Sequence, residues 1–148
     1  MRLSLLPASL LTSLALALPV SAQCGAMTVT GDGAPGSTLT FDVSGVAADT
    51  FVVVLAGRET GDFSFSFGPL GDLNLGLMPP FIPFGVVRSD ADGNATVEKR
   101  IPAGLNRLID LHAQGVSVEF AFSMGTGGKP SFGFSFCETN VVDFSVGS

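Results

Sequence analysis

The sequence predicts an all-β protein, built as an antiparallel sandwich of about eight or nine strands. Short stretches of alternating or β-branched apolar residues recur along the chain, and Gly, Pro, Asn and Asp separate them. Stretches of this kind and spacing are typical of half-buried antiparallel strands, and amphipathic helical periodicity is nearly lacking. The 148 residues suffice for one domain with its own core.

The N-terminal residues have the pattern of a secretory signal. Arg2 supplies a positive charge, residues 3–18 are almost wholly apolar or small, and residues 19–22 end in small side chains. We expect cleavage after Ala22, which leaves a single β-sandwich domain over residues 23–148. The expected location is secreted or extracellular, including the cell envelope.

Two membrane-attached alternatives are weaker. Pro7 interrupts the apolar stretch and no polar stop-transfer flank follows it, so we expect no stable membrane insertion after cleavage. Cys24 lies just beyond the signal, as the acylated cysteine of a lipoprotein does. The residue before an acylated cysteine should be small, however, and Gln23 is not.

The two cysteines, Cys24 and Cys137, lie near opposite ends of the mature chain. In an exported protein an even pair predicts a disulfide, here one that ties the first strand to a strand near the C-terminus. Two reduced, buried thiols are the alternative. Redox catalysis is disfavoured because the sequence has no Cys-x-x-Cys spacing to activate a thiol.

The first half of the mature chain contains four predicted strands: residues 27–30, 38–43, 51–56 and 63–67. In the second of these, Leu39, Phe41 and Val43 face one side and polar residues face the other. The third is a continuous apolar run, which suits the centre of a sandwich.

Residues 68–85 are the least regular segment, and their prolines confine any strand to a sheet edge. The large apolar residues in this segment either cap one end of the core or form an interaction patch. The candidate patch consists of Leu73, Leu75, Leu77, Met78, Phe81, Ile82 and Phe84.

Beyond this segment, residues 89–94 contain an Asp-Gly step that favours a hairpin turn between strands 85–88 and 95–101. Residues 105–114 are ambiguous, and we expect a short helical turn near 103–110 that runs into a strand. The remaining predicted strands are residues 116–124, 131–137 and 141–146.

All 13 aromatic residues are phenylalanine. In residues 63–67, 120–124 and 132–136 they alternate with Ser, Ala or Gly, so both faces of these strands are poorly solvated. We expect the phenylalanines to fill the sandwich core. The alternative is a flat surface for self-association or partner binding.

Three segments, residues 33–45, 89–97 and 101–102, look like parts of the immunoglobulin-like modules of secreted bacterial proteins. In those modules a Pro-Gly turn precedes an early strand, and an Asp-Gly-Asn or Asp-Gly-Thr turn precedes a later one. The resemblance covers about half of the mature chain. It implies an immunoglobulin-like sandwich and carries no catalytic residues.

One candidate metal site is present in the sequence. Asp90, Asp92 and Asn94 offer side-chain oxygens that suit calcium. The helical calcium-loop pattern fails because Ala95 stands where Gly is required and Ile101 where Glu is required. A non-helical calcium turn is the sharper hypothesis, and a solvated turn without a ligand is the simpler one.

The single histidine, His112, shares one face with Asp110 and Gln114 if the segment is a strand. A wet outer face is the favoured interpretation because one histidine cannot build a His-rich metal centre. No Gly-x-Ser-x-Gly elbow accompanies it, so the familiar hydrolase signature is missing.

Composition narrows the function. The net charge of −6 and the lack of a Lys/Arg cluster argue against nucleic acid and anionic membranes. We expect a non-catalytic secreted interaction or structural module without a cofactor, whose partner is a protein, the cell envelope or a second copy. The alternative is a calcium-dependent ligand- or polysaccharide-binding module, and a small secreted hydrolase comes third.

Overall fold

The computed structural model describes residues 24–148, and these residues form an all-β antiparallel sandwich. The predicted signal sequence, residues 1–22, lies outside them. Within the described part there are nine strands and one 3-10 turn. They are β1 (Ala26–Thr30), β2 (Thr38–Ser44), β3 (Phe51–Gly57), β4 (Thr60–Ser66), the 3-10 turn Gly68–Leu70, β5 (Asp72–Leu77), β6 (Ile82–Arg88), β7 (Ala95–Arg100), β8 (Ile109–Met124) and β9 (Pro130–Val146).

Two antiparallel sheets form the body. The three-stranded sheet has the order β1-β2-β7, and the four-stranded sheet has the order β6-β3-β8-β9. A separate β4–β5 hairpin follows β3 and packs against β8 and β9. Because β3 lies between two strands and the proline-containing β6 lies at an edge, both of these sequence predictions are confirmed.

The core lies between the two sheets. Leu39, Phe41 and Val43 are all buried, which confirms the alternation predicted for β2. Phe41 is fully buried, and its ring meets Phe84 of β6 and Phe144 of β9 edge-on, at centroid distances of 5.5 and 5.4 Å. One phenylalanine therefore packs against both edge strands of the opposite sheet.

The connection from β6 to β7 differs from the predicted hairpin. The two strands belong to different sheets, because β7 pairs with β2 and places Val97 opposite Phe41. Val97 is buried in the core, so the apolar face of β7 points inward from the three-stranded sheet. The turn keeps its local hydrogen bonds, from Gly93 to the Asp90 carbonyl at 3.1 Å, while it crosses between sheets.

One further local prediction is wrong. The segment 103–110 has no helical turn: Leu105 donates to the Pro102 carbonyl in an isolated turn, and β8 begins at Ile109. Residues 68–85, predicted as the least regular segment with any strand at a sheet edge, contain β5 as one of the two strands of the hairpin. The only helical turn among residues 24–148 is the 3-10 turn Gly68–Leu70.

The last two strands are longer than predicted. β8 has 16 residues and β9 has 17, with a register shift between Gln114 and Val116. Gly115 permits this bulge because a Cβ there would lie 3.2 Å from Val43 and 3.1 Å from Thr139. Beyond the bulge, β8 continues as one strand to Met124.

Cys24 and Cys137 form the predicted disulfide, with a Cα–Cα distance of 5.4 Å. Cys24 precedes β1 of the three-stranded sheet, and Cys137 lies in β9 of the four-stranded sheet. The bond therefore links the two sheets. No helix within residues 24–148 is long and apolar enough to cross a membrane.

Candidate functional site

Part of the β8–β9 pair extends beyond the sandwich. Pairing of β3 with β8 ends at Phe51 and Val118, whereas β8 and β9 stay paired out to Met124 and Pro130. Residues 119–135 therefore form a two-stranded projection, called the arm below. Glu119 and Lys129 are its charged residues.

The arm has two unlike faces, as the period of two in a strand requires. One face is apolar and carries Phe120, Phe122, Met124, Phe132 and Phe134. The other face carries small or polar residues: Glu119, Ala121, Ser123, Ser131, Gly133 and Ser135. On that polar face the hydroxyls of Ser123 and Ser131 lie 2.7 Å apart.

The β4–β5 hairpin enlarges the apolar face. The Phe67 ring stacks on Phe136 at 5.3 Å and contacts Phe65 at 4.8 Å. On the arm, Phe134 meets Phe120 at 5.0 Å, and Phe122 meets Phe132 at 5.2 Å. The result, called the phenylalanine surface below, consists of Phe65, Phe67, Phe120, Phe122, Met124, Phe132, Phe134 and Phe136.

This surface is open to solvent. Phe120 is 69% exposed, Phe132 66% and Phe122 61%. At about 200 Å² for a fully exposed side chain, the exposed members present roughly 700 Å² of apolar area. The largest apolar patch of a typical monomer is about 300–600 Å². The expectation that these phenylalanines fill the core is therefore wrong, and the interacting-surface alternative describes their position.

Close backbone contact holds the hairpin end of this surface in place. Gly71 has φ +129°, a conformation that favours glycine, and a Cβ there would clash with the Phe134 carbonyl. Further along the hairpin, the buried Gln114 side chain accepts from the Gly76 amide at 2.9 Å and donates to the Thr139 carbonyl at 2.8 Å. Gln114 therefore connects β5, β8 and β9, a role that its sequence position did not reveal.

The predicted patch in residues 73–84 is mostly occupied by contacts within the protein. Leu75 and Leu77 are buried, and Phe84 packs against the core. Phe81 is half-buried and meets Phe63 at 5.3 Å. Of the seven residues, Ile82 is the exposed one. The apolar surface lies instead on the arm and on the end of β4.

The Asp90 turn is held by its own hydrogen bonds. The Asp90 carboxylate accepts from the Asp92 amide at 2.9 Å and from the Asn94 amide at 2.8 Å. These bonds, the Asn94 amide foremost, lower the pKa of Asp90 from its usual 3.8. No group of three or more acidic, His or Cys side chains in residues 24–148 is placed to hold a metal ion.

A pH prediction follows from this turn. Since the folded pKa of Asp90 is depressed, its stabilising contribution is present above 3.8 and is lost as the pH falls through the folded value. We expect the unfolding temperature of Asp90→Asn to fall less than that of the wild type as the pH drops below 3.8. The amide oxygen of the variant still accepts the turn's hydrogen bonds, and it has no charge to lose. Thermal unfolding followed by circular dichroism measures this. Asp92→Asn is the control and should keep the wild-type profile; an Asp90→Asn profile equal to wild type contradicts the prediction.

His112 lies in a structural pair. Its Nδ1 is 2.7 Å from Asp143 Oδ1, directly across from it on β9. Asp110 accepts from the Ser145 hydroxyl at 2.6 Å, so this serine bonds to a carboxylate and not to the histidine. Gln114 is buried under the hairpin and does not join them. The strand thus places the three polar residues on one face, as the sequence predicts, but each of them bonds to a different partner.

A groove of about 450 Å³ lies between the β4–β5 hairpin and the four-stranded sheet. Its polar lining includes Asn74, Gln114 and Glu138. The Asn74 amide donates to the Glu138 carboxylate at 3.0 Å, and Gln114 bonds as described above. The side chains of Glu138 and Gln114 therefore attach the hairpin to the sheet through the backbone amides of Asn74 and Gly76.

Comparison with known proteins gives no relative: no protein-family model matches the chain, and no curated protein or solved structure is significantly similar to it.

Proposed function

We propose that this protein is a secreted, non-catalytic interaction module that binds its partner through the phenylalanine surface. The observation that carries the proposal is the roughly 700 Å² of exposed phenylalanine and methionine on the arm and hairpin. Burying such an area stabilises a complex by about 25 cal/mol per Å² before the costs of association. Aromatic residues and methionine are also the types enriched in interface cores.

The hydrogen-bond partners of Asp90 and His112 support a non-catalytic role. The Asp90 carboxylate holds its own turn, and the His112 imidazole lies against Asp143. A serine hydrolase of the Ser–His type needs its serine hydroxyl bonded to the imidazole base, whereas Ser145 donates to the Asp110 carboxylate and not to His112. We keep the calcium-dependent binding module as the alternative, to be tested by adding calcium or chelator.

The proposal also includes secretion of the protein and its relation to immunoglobulin-like modules. A disulfide between Cys24 and Cys137 suits an oxidising compartment, which supports secretion to the medium or cell envelope. The sheet orders β1-β2-β7 and β6-β3-β8-β9, packed face to face, support kinship with the immunoglobulin-like modules of secreted bacterial proteins.

The test is site-specific photo-crosslinking in an exporting host. Benzoylphenylalanine is placed at Phe122, which is 61% exposed on the surface, and in a matched strain at Leu108, which is 65% exposed elsewhere. Before irradiation, the intact mass of the exported protein checks cleavage after Ala22. We expect an adduct from position 122 and none from position 108, with or without calcium.

Each result is decisive. No adduct from position 122, or equal adducts from both positions, would overturn the proposal. An adduct that forms only with calcium present would favour the calcium-dependent module. The mass of the adduct separates a second copy of the chain from a different partner.

A further inference from the structure

One edge of the arm has backbone groups that point away from the arm. The Gly125 amide donates to the Lys129 carbonyl at 2.9 Å, so this row of the β8–β9 pair is hydrogen-bonded. Hydrogen-bonded and non-hydrogen-bonded rows alternate along an antiparallel pair. The rows of Phe120 and Phe122 are therefore non-hydrogen-bonded, and the amides and carbonyls of these two residues point away from β9. β3 would meet them on that side, but its pairing with β8 stops at Val118.

The backbone on this side has no partner elsewhere in residues 24–148, because no hydrogen bond reaches it from outside the β8–β9 pair. Residues 120–124 of β8 are called the free edge below. The opposite edge of the arm, along β9, is closed in two ways. The hairpin backbone at Gly71 lies against the Phe134 carbonyl, and Pro130 has no amide hydrogen to donate.

The free edge lacks the features with which exposed strands usually avoid pairing. It contains no charge, no proline and no bulge. The edge strand β6 of the same sheet, by contrast, contains Pro83. An exposed edge without such protection is suited to receive a further strand. Lipid is a poor occupant, because hydrocarbon offers no hydrogen-bond partners to backbone amides and carbonyls.

A carboxylate at the base of the free edge favours a basic partner. Glu119 is half-buried, and no cation in residues 24–148 lies within 4.0 Å of its carboxylate. It lines a recess of about 440 Å³ together with Asp49 and Arg88, which pair with each other at 3.4 Å. The recess therefore keeps one uncompensated negative charge, and the chain as a whole has a net charge of −6.

We propose that the free edge binds an extended, basic segment of another protein, which adds to the sheet as an antiparallel strand where β3 ends. The partner residues opposite Phe120, Phe122 and Met124 form the backbone hydrogen bonds and place apolar side chains beside the phenylalanine surface. The partner residue opposite Ala121 lies on the same face as Glu119, and a lysine or arginine there reaches this carboxylate diagonally. This inference rests on the proposed function and names the chemistry of its partner.

Amide hydrogen exchange of the ¹⁵N-labelled exported protein tests whether the edge is open. The amides of Ala121 and Ser123 bond to β9, whereas those of Phe120 and Phe122 point to solvent. We expect the first two to exchange at least about tenfold more slowly than the second two. Equal exchange rates in the two sets would overturn the inference.

The second experiment measures binding of a fluorescent heptapeptide by anisotropy. The peptide has valine at every odd position, threonine at positions two and four, and lysine at position six, opposite Ala121. N-methylation of two valines removes amides that point at β8, whereas N-methylation of the two threonines removes amides that point away and is the matched control. We expect the first change to weaken binding at least about tenfold and the second less than about twofold.

The third experiment tests the charge on both sides of the contact. A peptide with glutamate in place of lysine should bind about fivefold more weakly, and Glu119→Gln should reduce this difference to less than about twofold. Glu98→Gln, which removes an exposed carboxylate of β7, should leave the difference unchanged. A lysine preference that persists in Glu119→Gln would overturn the pairing with a basic residue.

The outcomes separate this inference from the proposed function. A photo-adduct with another protein at position 122, together with equal binding of the two N-methylated peptides or no peptide binding up to about 1 mM, overturns strand addition and keeps the interaction module. Protection of the Phe120 and Phe122 amides that rises with the protein's own concentration assigns the edge to a second copy and overturns the inference. Protection by phosphatidylcholine vesicles, but not by peptide, assigns it to lipid and also overturns the inference.

Discussion

Replacing both cysteines, Cys24→Ser with Cys137→Ser, should lower the free energy of unfolding by about 4 kcal/mol. The reason is the length of the loop that the bond closes. The cysteines are 113 residues apart, so the loop that the disulfide closes contains almost all of residues 24–148. In the chain-entropy account, a bond across such a loop strongly restricts the unfolded ensemble.

The fold itself should survive this change, because the disulfide is not the sole connection between β1 and β9. Asn140 on β9 accepts from the Met27 amide at 2.7 Å and donates to the Met27 carbonyl at 3.1 Å. Its side chain thus pairs with β1 as a neighbouring strand would. We expect the circular dichroism spectrum of the double variant to match that of the wild type.

Urea denaturation, with and without a thiol-free reductant such as a phosphine, measures the effect. Reductant should shift the wild-type midpoint to that of the double variant and leave the double variant unchanged, which is the internal control. A decrease in the free energy of unfolding of less than about 1 kcal/mol would contradict the loop-entropy argument.

The sequence is most informative where a strand has one solvent-exposed face and one buried face. In β2, the alternation of Leu39, Phe41 and Val43 with polar residues identifies both the strand and its buried side. β3 is predicted by a different signal, its continuous apolar run, and in the structure Val52, Val54 and Ala56 are its residues that face the core. Period-two patterning works for β2 because that strand lies within the sandwich, so burial and apolar character coincide.

Glycine and proline account for the two strands whose bounds the sequence misjudges, β5 and β8. Gly76 and the nearby prolines obscured β5, although Leu73, Leu75 and Leu77 alternate as a strand requires. Gly115 resembled a strand end but forms a bulge inside β8. Whether a glycine ends a strand or permits a bulge depends on which side chains pack beside it, and a single sequence does not contain that information.

The candidate site was only half predictable. The alternation of Phe with Ser, Ala or Gly in residues 120–124 and 132–136 predicts strands with their phenylalanines on one side, which either fills the core or forms a flat surface for association. It does not predict whether that side is buried, since this depends on where β3 stops pairing with β8, at Phe51 and Val118. Long-range register therefore decides that these phenylalanines are exposed on the arm.

The last prediction separates the two classes of phenylalanine. Phe41→Ala should destabilise the fold by about 4 kcal/mol, because it removes a buried ring and leaves a cavity between the sheets. Phe122→Ala, the same chemical change at a residue that is 61% exposed, should cost less than about 0.5 kcal/mol.

Both values come from urea denaturation at low protein concentration, where a dimer contributes little to the measured stability. Phe41 contacts Phe84 and Phe144 across the core, so truncation removes contacts with both edge strands of the opposite sheet. Equal costs at the two positions would mean that Phe122 is covered within its own monomer, and the phenylalanine surface would then not be free to bind. A large cost at Phe41 with a negligible cost at Phe122 means that folding does not need the arm's aromatic face, which leaves that face available for association.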